Sequence, residues 1–146
     1  MRKMLGIAIA VSVVVCLIIG TIIVFNKPDN PTHKFLLPKE YTGWVEVIFD
    51  QPENPALKQE GNYIVYEVPP SGKIKTSSRN NTGSMVLYYI DNNGKKTKLP
   101  ETVIMIHGLG TSSGEIGNAD GTTTKIPEKL SFFVGTEEQW EQSQPH

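Results

Sequence analysis

From Leu5 to Phe25 the chain runs for 21 residues without a charge, and that stretch constrains the rest more than any other feature. As a helix rising 1.5 Å per residue it would be about 32 Å long, enough to span a hydrocarbon core of about 30 Å. A cleavable export signal has a shorter apolar region, about 7–15 residues, closed by a small-x-small site. Here the run closes as Ile22-Ile23-Val24-Phe25-Asn26, which offers no small pair to a peptidase. Cys16 sits in mid-run behind Val13-Val14-Val15, whereas lipid attachment sites lie at the end of such a run behind small residues. The expectation is an uncleaved signal-anchor: residues 1–4 form a cytoplasmic tip and residues 5–25 a transmembrane helix. Arg2 and Lys3 precede the run, while Lys27 and Asp29 behind it nearly cancel. The positive-inside rule then places the N-terminus in the cytoplasm and the C-terminal part outside, a single-pass protein of the cell membrane. Ala8, Ser12, Cys16 and Gly20 recur every four residues. Such a stripe lets two membrane helices approach closely, and it raises the expectation of a homodimer through this helix.

The apolar content of 38% is therefore an average of unlike parts. Met4 to Phe25 holds 18 apolar residues in 22, and Asn26 to His146 holds 37 in 121. About 120 residues make one domain and exclude a TIM barrel or a full-size α/β enzyme. Residues 26–34 (NKPDNPTHK) contain two prolines and no apolar residue, so they read as a stalk before a domain over 35–146. No cysteine lies beyond Cys16, so disulfides cannot staple that domain and one packed core must hold it.

The pattern beyond the stalk is of strand type. In Trp44 to Phe49, Val45, Val47 and Phe49 alternate with Trp44, Glu46 and Ile48, and Tyr63 to Val68 is rich in aromatic and β-branched residues. Pro69-Pro70-Ser71-Gly72 turns the chain toward a third strand over Lys73 to Ser78. Met85 to Ile90 and Val103 to Ile106 are continuous apolar runs, as in strands buried on both faces. Asp91-Asn92-Asn93-Gly94 is a hairpin signal leading into Lys95 to Lys98, whose lysines suit an exposed edge. Leu130 to Val134 makes a last strand, and Gly110 to Lys125 reads as a long polar loop. Thr136-Glu137-Glu138-Gln139 has the form of a capping box and starts a short final helix that Trp140 packs back. The fold class expected is all-β, a small antiparallel sandwich or barrel-like domain behind the anchor.

Candidates for chemistry are few. Val103 to Gly110 resembles the strand-then-His-Gly segment that supplies an oxyanion-hole amide in α/β-hydrolases, but the G-x-S-x-G elbow those enzymes require does not occur. Zinc spacing, an EF-hand glutamate, a phosphate loop and a nucleic-acid signature are likewise missing from the sequence. No cofactor, no metal and no nucleic acid are therefore expected. The outer part carries twelve Lys/Arg against fifteen Asp/Glu, and this net −3 gives little steering toward polyanions. Lys73, Lys75, Arg79, Lys95, Lys96 and Lys98 would form a basic patch only if their two strands were neighbours. Tyr41, Trp44 and His107 are the candidate binding residues, with Tyr63 and Tyr66 as further aromatic positions that strands more often bury.

Three blocks carry a resemblance. FLLPKEYTGWVEVIFDQP (Phe35 to Pro52), GNYIVYEVPPSGKIKTSS (Gly61 to Ser78) and FFVGTEEQW (Phe132 to Trp140) together resemble a family of small exported bacterial proteins classed as a domain of unknown function. The resemblance covers nearly all of Phe35 to Trp140 and implies a bacterial, extracytoplasmic, β-rich domain. It brings no catalytic residues with it. Members of that family often carry a lipid-anchor cysteine, a pattern from which this chain departs at Val15-Cys16. The reading that follows is a membrane-anchored binding or interaction module of the bacterial envelope, partnered by an envelope protein, wall polymer or small ligand. A small hydrolase-like enzyme using His107 and the 110–125 loop, and a structural accessory subunit of a membrane complex, stay open beside it.

Overall fold

Alternating side chains decide which strands face the interior. Val45, Val47 and Phe49 are fully buried, as are Phe35, Leu37, Tyr66, Phe132 and Val134. In the computed structural model, which describes residues 30–100 and 104–145, these residues form one core cluster between two sheets. The proposed cytoplasmic tip, the anchor over 5–25, the stripe of Ala8, Ser12, Cys16 and Gly20, and the first four residues of the stalk lie outside the described residues. Among the described residues no helix is long and apolar enough to cross a membrane.

Among the described residues nine strands and one helix follow in order: β1 (Thr32–Pro38), β2 (Gly43–Ile48), β3 (Lys58–Glu60), β4 (Tyr63–Glu67), β5 (Lys73–Lys75), β6 (Ser84–Ile90), β7 (Lys96–Lys98), β8 (Ile106–Gly117), β9 (Thr123–Val134) and α1 (Glu137–Gln142). One sheet has the order β3-β4-β1-β6-β7 and the other β5-β2-β9-β8. The expectation of an all-β sandwich with a short C-terminal helix agrees with this, but the sheets are mixed rather than antiparallel. β1 pairs parallel with both β4 and β6, and β2 pairs parallel with β5. The capping box is present, with Thr136 accepting from the Gln139 N–H while the Gln139 side chain accepts from the Thr136 N–H.

Several elements differ from their sequence reading. Thr32, His33 and Lys34, read as the end of the stalk, belong to β1, the central strand of its sheet. Gly110 to Lys125 is not a loop but most of the β8–β9 hairpin, whose strands pair from Ile106↔Val134 to Gly117↔Thr123. Ile104 and Met105 precede β8 rather than forming a central strand, and Ile104 is exposed. β6 buries only Leu87 fully, so its apolar run is not covered on both faces. Lys73 and Lys75 lie on the edge of one sheet and Lys96 and Lys98 on the edge of the other. β5 faces the Pro55–Lys58 segment and β7 faces Ile104–Ile106. The lysines thus occupy opposite flanks of the sandwich and do not form one patch.

Buried polar groups are few. Thr76 donates to the Pro55 carbonyl at 2.9 Å and accepts from the Ser78 N–H at 3.1 Å. His33, 5% exposed, lies 2.7 Å from the Tyr66 hydroxyl through Nδ1. Burial pushes the Tyr66 phenol up to about 12, so the phenol keeps its proton. The His33 imidazole is buried beside it. Burial also holds its pKa below the ordinary 6.5, opposed by the nearby Asn81 backbone. A folded His33 therefore binds its proton at lower pH than an unfolded one. Its contribution to stability is complete above about pH 6.5, declines as pH falls through that value, and levels off below the depressed folded pKa. Thermal unfolding scanned from neutral to mildly acidic pH should show this decline in the wild type, and His33→Gln should remove it.

Candidate binding face

The outward-facing residues of β2, β9 and β8 meet in one rung. Trp44 pairs with Phe133, and Phe133 with His107, so three rings from three strands lie in a row across the outer face of this sheet. Trp44 and Phe133 contact edge to face with centroids 5.8 Å apart. A fourth ring comes from α1, where Trp140 stacks on His107 at 5.3 Å and 13°. The capping box starts α1 just past β9, and its short length brings Trp140 back over the sheet. Gly108 makes this closeness feasible. A β-bulge separates His107 from Gly110, and Gly108 has φ +59. A Cβ there would lie 3.1 Å from the Trp44 ring and 3.4 Å from Trp140 Nε1.

The row is uneven in exposure. Phe133 is buried and forms the floor, while Trp44 remains 39% exposed. Trp140 Nε1 is buried without a hydrogen-bond partner among the described residues, beside the edge that Trp44 presents. Along the same face the next rung holds Glu46, which accepts from Lys129 at 3.0 Å and lies 3.5 Å from Lys73. The Lys129 hydrogen bond, followed by the charges of Lys129 and Lys73, keeps the Glu46 carboxyl below its usual value. An aromatic shelf thus lies beside a row of fixed charges, an arrangement able to stack a flat or sugar-like surface and hydrogen-bond its polar rim.

Of the residues singled out from sequence, Trp44 and His107 come together in this row. Tyr41 supports it from behind, since its hydroxyl donates to the Trp44 carbonyl at 2.7 Å and burial raises its pKa. The His107 ring donates from Nε2 to the Gly135 carbonyl at 3.1 Å, and among the described residues no hydroxyl or carboxylate bonds to it. That is the setting of a packed ring rather than of a base beside a nucleophile. Tyr63 is exposed on the outer face of the other sheet beneath Lys34, and Tyr66 is core. Trp140 was visible in sequence only as a residue that packs back. Its place beside Trp44 depends on β8 pairing with β9.

A concavity of about 540 Å³ opens at the other end of the sandwich, between Asn80–Gly83 and Leu109–Thr111, with His33 and Glu128 in its lining. Asn80 donates to Glu128 there at 2.7 Å. Among the described residues no group of three or more metal-ligating side chains occurs.

These observations define a mostly β protein of two mixed sheets with an aromatic row on one outer face. The chain belongs to the family of unknown function DUF6843, whose pattern matches residues 23–143. No curated protein matches the sequence. The fold is similar to a crystal structure of a Bacillus anthracis protein provisionally assigned as a lipoprotein, with a TM-score of 0.54 and 24% identity over 73% of this chain and 71% of that one.

Proposed function

We propose that the protein is a binding module of the bacterial envelope, held at the membrane by residues 5–25, with wall polymer as the ligand of its aromatic face. The observation that carries the reading is Trp44: this large residue stays 39% exposed at the end of a row whose other rings, Phe133, His107 and Trp140, are packed together. Exposed, rigidly seated tryptophans supply stacking area at little conformational cost. The adjoining Glu46, Lys129 and Lys73 provide both hydrogen-bond donors and acceptors for a polymer of sugars. The provisional lipoprotein assignment of the similar B. anthracis structure supports export to the envelope. The uncharged run and the charges of Arg2 and Lys3 support a single-pass anchor with the domain outside.

Sedimentation of the full chain with purified cell-wall sacculi tests the ligand. Trp44→Ala is expected to weaken binding by about tenfold or more, the effect of removing an indole worth about 2 kcal/mol. Tyr63→Ala, which removes an exposed ring from the opposite face, should leave binding unchanged. Equal binding by wild type and Trp44→Ala would exclude the aromatic row as the site. Protease treatment of intact cells with an opened wall tests the topology: the domain should be digested from outside.

A further inference from the structure

β8 and β9 are each twelve residues long, yet β2 covers β9 only from Lys129 to Val134. Glu128 still accepts from the Phe49 N–H at 2.9 Å; beyond it β9 pairs with β8 alone, and the ribbon from Gly114↔Ile126 to Gly117↔Thr123 projects from the sandwich. Ile126 stands opposite Gly114, two residues from Ile116 on the same face, and the two isoleucines are 43% and 54% exposed. The direction of the ribbon follows from its base. Thr111 and Glu128 share a cleft with His33 and Gly83, which places the base at the end where the chain enters β1. The far end holds Pro38, with Gly43 paired to Val134.

Thr32 is preceded by Asn26–Pro31, six residues that reach at most about 20 Å before the apolar run ends at Phe25. The projecting ribbon, about six residues per strand with its turn, spans about 20 Å as well. Even a fully extended linker cannot hold the arm far from the bilayer. We propose that the β8–β9 arm rests on the membrane that holds the anchor, with Ile116 and Ile126 seated in the lipid interface. This rests on the anchored reading above and adds a second point of membrane contact, which fixes the orientation of the domain and of its aromatic face. The arm carries Glu115, Asp120 and Lys125, a net charge of −1 (one positive, two negative). The contact is therefore apolar and independent of anionic lipid.

The test uses the full chain with Cys16→Ser in phosphatidylcholine vesicles, carrying an environment-sensitive fluorophore at Ile116→Cys or, as control, at Asn93→Cys in the turn at the far end. The label at 116 should emit to the blue and be quenched by lipid-borne quenchers, and the label at 93 should do neither. Adding Ile126→Asp should return the 116 label to water-like emission. Alkaline extraction separates the two readings. Release of the chain overturns the anchor and this proposal together, whereas retention with water-like emission at 116 overturns this proposal alone. A signal that appears only with phosphatidylglycerol overturns the apolar contact.

Discussion

Phe35→Ala should lower the folding stability of the domain by about 3–5 kcal/mol, the usual cost of truncating a buried phenylalanine. Phe35 is fully buried at the centre of β1. It stacks on Tyr66 at 4.2 Å and meets Phe132 edge to face at 5.0 Å. One ring therefore joins neighbouring strands of its own sheet to the facing sheet, and its removal leaves a cavity that neither rigid sheet can close. Small domains have about 5–15 kcal/mol in total, so the variant should lose a large share of its stability. Urea unfolding followed by circular dichroism reads the effect. Phe35→Leu, which keeps most of the volume, should recover much of it. A loss below about 1 kcal/mol for the alanine variant would mean that the two sheets are not held together through this ring.

Gly72→Ala should be comparably severe for a different reason. Gly72 has φ +74, and a Cβ there would lie 2.1 Å from the Trp44 carbonyl oxygen and 2.2 Å from the Tyr41 hydroxyl. The left-handed backbone alone costs an alanine about 1–2 kcal/mol. Gly94 isolates that cost, since it has φ +78 and open space around it. Gly94→Ala should therefore lose only this amount, and Gly72→Ala clearly more. The clash falls on the hydrogen bond from Tyr41 to Trp44 and on the backbone contact from the Glu46 N–H to the Gly72 carbonyl at 2.8 Å. Near-ultraviolet circular dichroism of Trp44 should change in Gly72→Ala and stay unchanged in Gly94→Ala. Equal stability losses in the two variants would show that the Tyr41–Trp44 corner yields to the added methyl.

The same residues show why part of the molecule was legible in its sequence and part was not. Val45, Val47 and Phe49 alternate with outward residues, and all three are buried as that period requires. Thr136 and Gln139 are three apart, so their reciprocal cap is a local event that sequence alone can specify. β1 escaped because its first half, Thr32-His33-Lys34, carries no apolar residue. His33 shares the inward face of Phe35 and Leu37, and a hydroxyl from Tyr66, 33 residues away, meets it there. The β8–β9 hairpin escaped because glycine, serine and threonine read as loop, and their extended form comes from pairing with each other across the Asn118–Thr122 turn. The candidate site was half legible: Trp44 and His107 stood out as residue types, while Phe133 between them and Trp140 above them became neighbours only through the sheet.

What the sequence by itself determined is the local periodicity: an uncharged run of membrane length, a β-rich domain without disulfides, the turns, and one capped helix. These depend on residues a few positions apart, whose spacing is the same in any tertiary context. The tertiary structure alone decided which strands became neighbours, that the sheets are mixed, that the lysines separate to opposite flanks, and that four rings form one row. Those outcomes depend on pairings such as β1 with β6 and β2 with β9, between segments distant in the chain. Their register is selected by how the two sheets close over Phe35, Tyr66 and Phe132 rather than by any short stretch of residues.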